Sequence, residues 1–304
     1  VYMSGRSLHP ISINLAERLQ QEFDGKLDIA FSAGVDTFNV ADTLECGQIF
    51  RYEKLSDGSY AVFSRDKYAR LVTEEDVVRV FTDDVDYFRH FLDLDTNYAQ
   101  KVQRISAISP LMKQACDCGK GIHILNQDLT EMIISFIISA NNNIKRIQLI
   151  IRRLCDALGE DTPYGKAFPT VEKMAQAPLS LYTSIGAGYR DVYLKETAQR
   201  LVNYDLSRLT QADTASARKE LLSFKGVGPK VADCILLFGL RRGDVFPVDT
   251  WLKKVYHAYF EQGHKDSEIS TFFCNLFGQD AGLCQQYLFY FQRKYGQTAS
   301  NTVK

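Results

Sequence analysis

The sequence predicts an α+β protein in which an antiparallel β-sheet precedes a helical domain. Two textures of the chain support this fold class. Between about residues 29 and 91, apolar and polar residues alternate and β-formers dominate, whereas from about residue 119 apolar residues recur at helical spacing. We place the boundary near residues 115–120, which predicts a sheet domain over 11–118 and a helical domain over 119–296.

The strands of the first domain are predicted from alternation and turn signals. Alternation is clear at residues 37–40 (TFNV) and 60–63 (YAVF), and residues 56–59 (SDGS) mark a turn. Every second side chain of such a strand faces the core. Within this stretch we also expect one helix, over residues 85–92.

Two successive helices are predicted near the start of the second domain. Asp128 and Glu131 have the spacing of a capping box, with Asp128 as the N-cap of the first helix. The apolar residues of the second helix step by three and four positions along one face: Ile144, Ile147, Ile151, Leu154 and Leu158. Three asparagines, 141–143, connect the two helices.

Composition excludes several classes of protein. Of the 304 residues, 45% are hydrophobic and 12% aromatic, which is enough to fill a core and excludes wholesale disorder. With 36 basic and 37 acidic residues the net charge is −1, which excludes a globally basic nucleic-acid binder. The longest apolar stretch, 132–140, is far shorter than the roughly 20 residues of a membrane helix, so no membrane span is predicted.

The cysteines predict a reduced, intracellular protein. Their number, seven, is odd and does not suggest a disulfide framework. Cys116 and Cys118 form the one close pair, and no second ligand pair follows at the spacing of a metal site. The N-terminus (VYMSGRSLHP) lacks the apolar core of a signal peptide.

Residues 219–238 form the most informative stretch, because two glycines separated by one apolar residue lie between helical segments. Gly226 and Gly228 allow a tight turn and bring backbone N–H groups close to an anion. The proline that follows suits a first helical position, which places Lys230 in the first turn and starts an apolar face at Val231. This is the pattern of a helix-hairpin-helix element, which binds a DNA phosphate. The alternative is an ordinary helical corner with a glycine cap.

Lys230 and Asp249 are the candidate catalytic residues. A nucleophilic amine must be neutral, and the positive end of a helix dipole favours that form; the alternative for Lys230 is a surface lysine that contacts phosphate. Asp249 precedes an amphipathic helix, where it either caps the helix or directs a carboxylate into the same cleft. The spacing alone leaves both choices open. Eight basic and four acidic residues within 215–256 give a local net charge of +4, which agrees with a nucleic-acid-binding face.

Five segments, in order, resemble the 8-oxoguanine DNA glycosylase family of the helix-hairpin-helix superfamily. They are ECGQIFRYE, SFIISANNNIKRI, GAGYR, GVGPKVADC and FPVDTW, and the resemblance spans about residues 30–295. It implies a first domain like the TATA-binding protein, and a glycosylase with AP-lyase activity on double-stranded DNA that contains 8-oxoguanine opposite cytosine. Members of the family are commonly monomers that need no catalytic metal or other cofactor. The resemblance is also compatible with a cation bound at the hairpin backbone. Only Cys274 and Cys284 follow the hairpin region, which excludes the four-cysteine [4Fe–4S] cluster of related branches.

The resemblance implies catalytic and DNA-binding roles for individual residues. Lys230 resembles the nucleophile that attacks C1′ and forms a Schiff base, and Asp249 resembles the carboxylate that supports this step. Gly226, Gly228 and Val231 resemble the hairpin groups that bind phosphate. Four residues resemble those that hold the orphaned cytosine and fill the gap in the duplex: Asn141, Arg146, Arg190 and the wedge Tyr189. Taken singly, Asn141 is also compatible with a helix cap, Arg146 with a solvated charge and Tyr189 with core packing.

The resemblance also implies a pocket for the damaged base. The Gly47 carbonyl resembles the acceptor for the N7–H that 8-oxoguanine has and guanine lacks. Gln285 resembles the residue that reads the Watson–Crick edge, and Cys234 and Phe289 resemble the two walls between which the base stacks.

Three departures from the family pattern occur near these positions. Trp251 and Gln292 replace a histidine and an aspartate that support each other near a phosphate, and Lys225 replaces a hairpin proline. Two other functions stay open: a glycosylase of the same superfamily for an alkylated base or an oxidised pyrimidine, and a hairpin module that only binds DNA or protein. Without a basic nuclear signal, we expect a prokaryotic cytoplasm with nucleoid association, or the nucleus in a eukaryote.

Overall fold

The computed structural model describes residues 28–34, 37–260 and 263–299, so residues 11–27 of the predicted sheet domain lie outside it. The strands run over Asp28–Gly34 (β1), Tyr52–Lys54 (β2), Tyr60–Ser64 (β3), Lys67–Glu74 (β4), Val77–Thr82 (β5), Asp161–Thr162 (β6) and Gly165–Lys166 (β7). The first five form one antiparallel sheet in the order β1-β5-β4-β3-β2, and β6 pairs with β7.

The helices surround and follow this sheet, so the α+β class is confirmed. They run over Val40–Glu45 (α1), Val85–Phe91 (α2), Tyr98–Ser106 (α3), Pro110–Cys118 (α4), Leu129–Ser139 (α5), Ile144–Leu158 (α6), Val171–Gln176 (α7), Leu179–Ser184 (α8), Asp191–Leu201 (α9), Ser207–Thr210 (α10), Thr214–Leu222 (α11), Pro229–Leu240 (α12), Thr250–Tyr259 (α13), Ile269–Phe277 (α14) and Ala281–Ala299 (α15). Short 3₁₀ turns, Gly188–Arg190 and Gly278–Asp280, precede α9 and α15.

The predicted alternation at residues 60–63 is confirmed by strand β3. Tyr60 and Val62 are buried in the core that also contains Phe88 of α2. Ala61 and Phe63 point to the opposite face, where they pack in a smaller apolar cluster. The period of two therefore covers both faces of the sheet.

The strand predicted at residues 37–40 is wrong. Asn39 instead caps helix α1, since its side chain accepts a hydrogen bond of 2.9 Å from the backbone N–H of Asp42. Asparagine offers the backbone this local hydrogen bond, which favours a helix start over an extended strand.

Residues 98–118 form two helices, α3 and α4, that the sequence texture does not predict. Their buried side chains include Ile105, Met112 and Cys116. All three belong to the large apolar core of the helical part of the molecule, together with Ile133 and Ile147.

The helices predicted on either side of the three asparagines are confirmed. Asp128 caps α5, and its Oδ1 accepts a hydrogen bond of 2.9 Å from the N–H of Glu131. Helix α6 has its apolar stripe buried, including Ile147, Ile151 and Leu154.

Arg241, at the C-terminal end of α12, joins this helix to the sheet side of the molecule. Its Nη2 lies 2.7 Å from Oδ2 of Asp93, and its Nη1 donates to the carbonyl of Ile124. Asp93 also accepts hydrogen bonds from Tyr98 Oη (2.7 Å) and Thr96 Oγ1 (3.0 Å). Burial raises the pKa of Asp93, but the Arg241 charge and these donors outweigh it and hold the pKa below its ordinary 3.8.

We expect Asp93→Asn to destabilise the protein in a pH-dependent manner. Asparagine tolerates the positive φ of 53° at this position but cannot carry the charge that Arg241 faces. Because the pKa of Asp93 is lowered on folding, its contribution is present above about pH 4 and is lost as the pH falls further. The midpoint of thermal unfolding should fall by about 5–10 °C at pH 7.

The control is Asp95→Asn, since Asp95 pairs with Arg89 at an exposed site. This variant should change the midpoint little, because an exposed pair contributes less than about 1 kcal/mol. The difference between Asp93→Asn and the parent should shrink between pH 5 and pH 3, and a constant difference would contradict the prediction.

Candidate active site

The turn between α11 and α12 has the geometry predicted for a hairpin. Gly226 has a φ of +83°, and a Cβ at this position would lie 2.6 Å from Cδ2 of Tyr193, so only glycine fits. Gly228 is the exposed N-cap of α12 and has open space around its Cβ position. Phe224 and Val227 are buried and anchor the turn.

The backbone N–H groups at the start of α12 have no side-chain partner in the described chain. The helix begins at Pro229, as predicted, and within the described chain no side chain caps it. Val231 is buried, so its side chain anchors the turn while its N–H remains at the helix end. A helix N-terminus with uncapped N–H groups can bind an anion such as phosphate.

Lys230 lies in this first turn, half-buried, with its Nζ 5.7 Å from the ring centroid of Phe136. No acidic residue of the described chain pairs with it. One helical turn later, Cys234 is 3% exposed. Burial raises the pKa of the Cys234 thiol to about 11, while the Lys230 amine acts to lower it and the Asp249 charge acts to raise it. The charges of Lys230 and Asp249 therefore both act on the Cys234 thiol.

Asp249 is the N-cap of helix α13. Its Oδ1 accepts hydrogen bonds from the backbone N–H groups of Trp251 (2.9 Å) and Leu252 (3.0 Å). Its Oδ2 accepts none from the part of the chain that the structure describes. The two alternatives for this residue are therefore compatible, because one oxygen caps the helix and the other is free to act on a ligand.

Gly47 lies between the sheet side and the last helix. It follows α1 with a φ of +88°, and a Cβ there would meet Phe289 Cε1 at 3.4 Å and Ile144 Cδ1 at 3.6 Å. The preceding carbonyl, of Cys46, accepts a hydrogen bond of 2.9 Å from Gln286 Nε2. The Gly47 carbonyl itself accepts no hydrogen bond from the described residues.

Gln285 and Phe289 lie one turn apart on helix α15, near Gly47. Gln285 is 6% exposed, and its Oε1 is buried without a hydrogen-bond partner in the described chain. A buried acceptor without a donor costs about 1–3 kcal/mol, which makes it a candidate for ligand binding. Phe289 is half-buried and covers the Gly47 backbone.

A second cluster forms where α5 and α6 meet the turn before α9. Arg190 is 4% exposed and donates to the carbonyls of Ala140 (Nε, 2.9 Å) and Asn141 (Nη2, 3.0 Å). Tyr189 is 55% exposed, so it is not a core residue, and Arg190 packs 4.3 Å from its ring centroid. Asn141, at a positive φ of 49°, and Arg146 are both exposed.

The three departures from the family pattern have separate environments. Trp251 packs against the main core, and Lys254 Nζ lies 5.0 Å from its ring centroid. Lys225 pairs with Glu196 at 2.7 Å, so most of its extra charge is offset. Gln292 is half-buried on α15.

Four residues that contact the site were missed by the sequence interpretation: Phe136, Ile144, Gln286 and Arg293. Phe136 and Ile144 stand inside the SFIISANNNIKRI segment but lack chemistry of their own. Gln286 and Arg293 share a helical face with Gln285 and Phe289, and this spacing is the signal that would have revealed them.

Two general findings concern the described part of the chain. It contains no group of three His, Cys, Asp or Glu residues arranged to hold a metal ion. None of its helices has both the length and the apolar character needed to cross a membrane.

Comparison with known families places this fold and site in one class. The model of the 8-oxoguanine DNA glycosylase N-terminal domain matches residues 30–133. The model of the HhH-GPD superfamily of base excision DNA repair proteins matches residues 134–274, which include the hairpin, Lys230 and Asp249. The fold and site therefore define a DNA repair protein of the HhH-GPD superfamily.

Individual relatives narrow this class. The chain is 34% identical to the 8-oxoguanine glycosylase/lyase of Clostridium acetobutylicum. The crystal structure of that protein contains double-stranded DNA with cytosine opposite 8-oxoguanine. The two structures superpose with a TM-score of 0.82, which covers 86% of this chain and 93% of that one. It is also 30% identical over 259 residues to the N-glycosylase/DNA lyase of Saccharomyces cerevisiae. This alignment covers 71% of this chain and 66% of the yeast protein. The chain belongs to the 8-oxoguanine DNA glycosylase/lyase family.

The beginning of the chain carries a second likeness. Residues 1–50 match the model of the N-terminal TIM-barrel domain of the oxidoreductase YgfK. A stretch of 47 residues is 47% identical to the putative oxidoreductase YgfK of Escherichia coli and covers 5% of that protein. The part of this stretch that the structure describes forms strand β1, which belongs to the antiparallel sheet, and helix α1.

The hairpin glycines allow a matched test of the turn. Gly226→Ala should lower the midpoint of thermal unfolding by roughly 5–10 °C, because a side chain would be strained at this φ and would overlap Tyr193. Gly228→Ala should change the midpoint by less than about 3 °C, since its φ of −92° and open surroundings accept a methyl group. Equal midpoints for the two variants would contradict the turn geometry.

Proposed function

We propose that the protein excises 8-oxoguanine opposite cytosine from double-stranded DNA and then cleaves the strand by β-elimination, in base excision repair. One observation carries this proposal. Two acceptors have no donor in the described chain: the Gly47 carbonyl, next to the half-buried ring of Phe289, and the buried Oε1 of Gln285, one helical turn before Phe289. A flat base with N–H groups on two edges would satisfy both acceptors.

The Gly47 carbonyl is the proposed point of discrimination. At N7, 8-oxoguanine carries a hydrogen that can be donated, whereas guanine carries a lone pair there. Guanine would place two acceptors face to face, at a cost of about 1–3 kcal/mol. Gln285 then reads the Watson–Crick edge, and the base is proposed to stack between Phe289 and Cys234, which belong to the same apolar core.

The damaged nucleotide must leave the duplex to reach this pocket, which costs a few kcal/mol, about the energy of unstacking. Tyr189 is proposed to fill the gap, which its 55% exposure permits. Asn141 and Arg146, which are exposed, and Arg190, which is buried against the ring of Tyr189, are proposed to hold the orphaned cytosine. The hairpin groups Gly226, Gly228 and Val231 bind a phosphate nearby through the uncapped helix start.

Lys230 is the proposed nucleophile. Its amine lone pair attacks C1′, and the bond from C1′ to N9 breaks with its electron pair leaving on the base. Asp249 removes the amine proton or balances the positive charge on the sugar, and its Oδ2 is the oxygen available for this. Opening of the sugar gives a Schiff base between Lys230 and C1′. Loss of a proton from C2′ then expels the 3′ phosphate, which cleaves the strand.

The two predicted domains have separate parts in this proposal. Residues 11–118 supply Gly47, and residues 119–296 supply the hairpin, the catalytic pair and the other pocket residues. The pocket forms only where the two meet, at the contact between Gly47 and Phe289.

The first test is borohydride trapping on a duplex that contains 8-oxoguanine opposite cytosine. The parent should form a covalent complex with DNA, whereas Lys230→Gln should form none and should release no base, because it lacks the nucleophile. Lys225→Gln serves as the control, since Lys225 stands in the same hairpin and is already paired with Glu196. Abundant base release by Lys230→Gln would contradict the proposed mechanism.

The same trapping assay separates related functions. If the parent is inactive on this duplex but traps on an alkylated base or an oxidised pyrimidine, the chemistry stands and the proposed substrate is wrong. Duplex binding without lesion preference or covalent product would leave a binding module only.

A second test concerns the base opposite the lesion. Arg146→Ala should reduce the preference for cytosine, measured as the ratio of single-turnover rates opposite cytosine and opposite adenine, by roughly tenfold. Combination with Arg190→Ala should reduce it further. Arg152→Ala is the control, because Arg152 lies on the same helix as Arg146, α6, but lines the cavity that also contains Phe50 and Tyr164. Unchanged relative rates in the Arg146 variant would exclude this role.

A further inference from the structure

The backbone turn before Gly47 is held by two side chains of helix α15. Arg293 Nη1 donates to the Glu45 carbonyl at 3.3 Å, and Gln286 Nε2 donates to the Cys46 carbonyl at 2.9 Å. The next carbonyl, of Gly47, accepts no hydrogen bond from the described residues. Two consecutive carbonyls thus have donors on α15, and the third remains available.

The same two side chains also touch the rest of the candidate pocket. The Arg293 guanidinium carbon lies 5.4 Å from the ring centroid of Phe289, and this ring covers the Gly47 backbone. Gln286 is 2% exposed and stands next to Gln285 in the chain. Residues 285, 286, 289 and 293 therefore form one stripe along α15 that faces the turn.

Glycine at position 47 makes such support necessary. Its backbone, at a φ of +88°, has more freedom than that of any other residue, so a modest rotation would turn the carbonyl away from the pocket. Donors that hold the two preceding carbonyls restrict this rotation. A carbonyl with one fixed direction can penalise a facing acceptor, whereas a mobile one can turn aside.

We propose that Gln286 and Arg293 are positioning residues that aim the Gly47 carbonyl and thereby set the preference for the damaged base over guanine. This inference rests on the proposed function, because it assigns the discrimination to Gly47. Neither residue acts on the sugar or on the bond that breaks. Their removal changes selectivity in the pocket and leaves recognition of the DNA backbone intact.

The test measures binding in a Lys230→Gln background, so that no base is released. Dissociation constants are compared for three duplexes, which carry 8-oxoguanine, guanine or an abasic-site analogue opposite cytosine. Gln286→Met and Arg293→Met each remove a donor of the turn and keep an unbranched apolar stem. We expect the ratio of guanine to 8-oxoguanine dissociation constants to fall about threefold to tenfold in each variant. Binding of the abasic analogue, which places no base in the pocket, should change less than about twofold.

Two further variants sharpen this comparison. Lys294→Met is the matched control, because Lys294 neighbours Arg293 but its Nζ donates to Tyr290 Oη at 3.3 Å rather than to a carbonyl of the Glu45–Gly47 turn. Its ratio should equal that of the background protein. Arg293→Lys retains a donor and a charge, and it should restore most of the ratio.

The outcomes separate this inference from the proposed function. An unchanged ratio in Arg293→Met and Gln286→Met overturns the inference, and so does equal weakening on all three duplexes, which indicates a role in DNA binding or folding only. If Gln286→Met does not fold, the ratio measured for Arg293→Met alone decides whether the inference holds, because Arg293 is only half-buried. A Lys230→Gln background without any preference for 8-oxoguanine overturns the proposed function itself.

Discussion

The buried amide of Gln48 determines how the two sides of the site meet. Its Nε2 donates to the carbonyls of His123 (2.7 Å) and Thr43 (3.0 Å), and its Oε1 accepts from the N–H of Leu125 at 2.9 Å. Gln48 is fully buried, so any other arrangement would leave polar groups without partners, at about 1–3 kcal/mol for each. The neighbouring Gly47 is therefore held in place between the sheet and the helical core.

The distribution of charge explains how a chain with a net charge of −1 can approach DNA. Many cations away from the site are paired with acids, for example Arg70 with Asp57 and Arg104 with Asp280. Lys230 lies against an aromatic ring, and Arg190 is held by backbone carbonyls. Neither of these two cations is paired with an acid of the described chain, so the site keeps a local positive charge that favours the approach of phosphates.

Several candidate functional residues also have structural roles, which is why the sequence alone could not decide between the alternatives. Asp249 caps α13 with Oδ1, and its function depends on whether Oδ2 faces a ligand. The cap follows from local sequence, since aspartate before a helix is a standard N-cap. What lies opposite the second oxygen depends on the relative placement of α12 and α13, which no local sequence signal specifies.

The sequence by itself determined the elements whose signals are local. These include strand β3, the cap at Asp128, the start of α12 after the hairpin glycines, and the order of motifs that indicates the family. The tertiary structure decided the contact of Gly47 with Phe289, the unpaired Oε1 of Gln285 and the packing of residues 98–118 with the helical core. Periodicity and capping act within a few residues along the chain, whereas a pocket is formed by side chains more than two hundred residues apart. Which groups keep a partner there and which remain available for a ligand is settled only by packing.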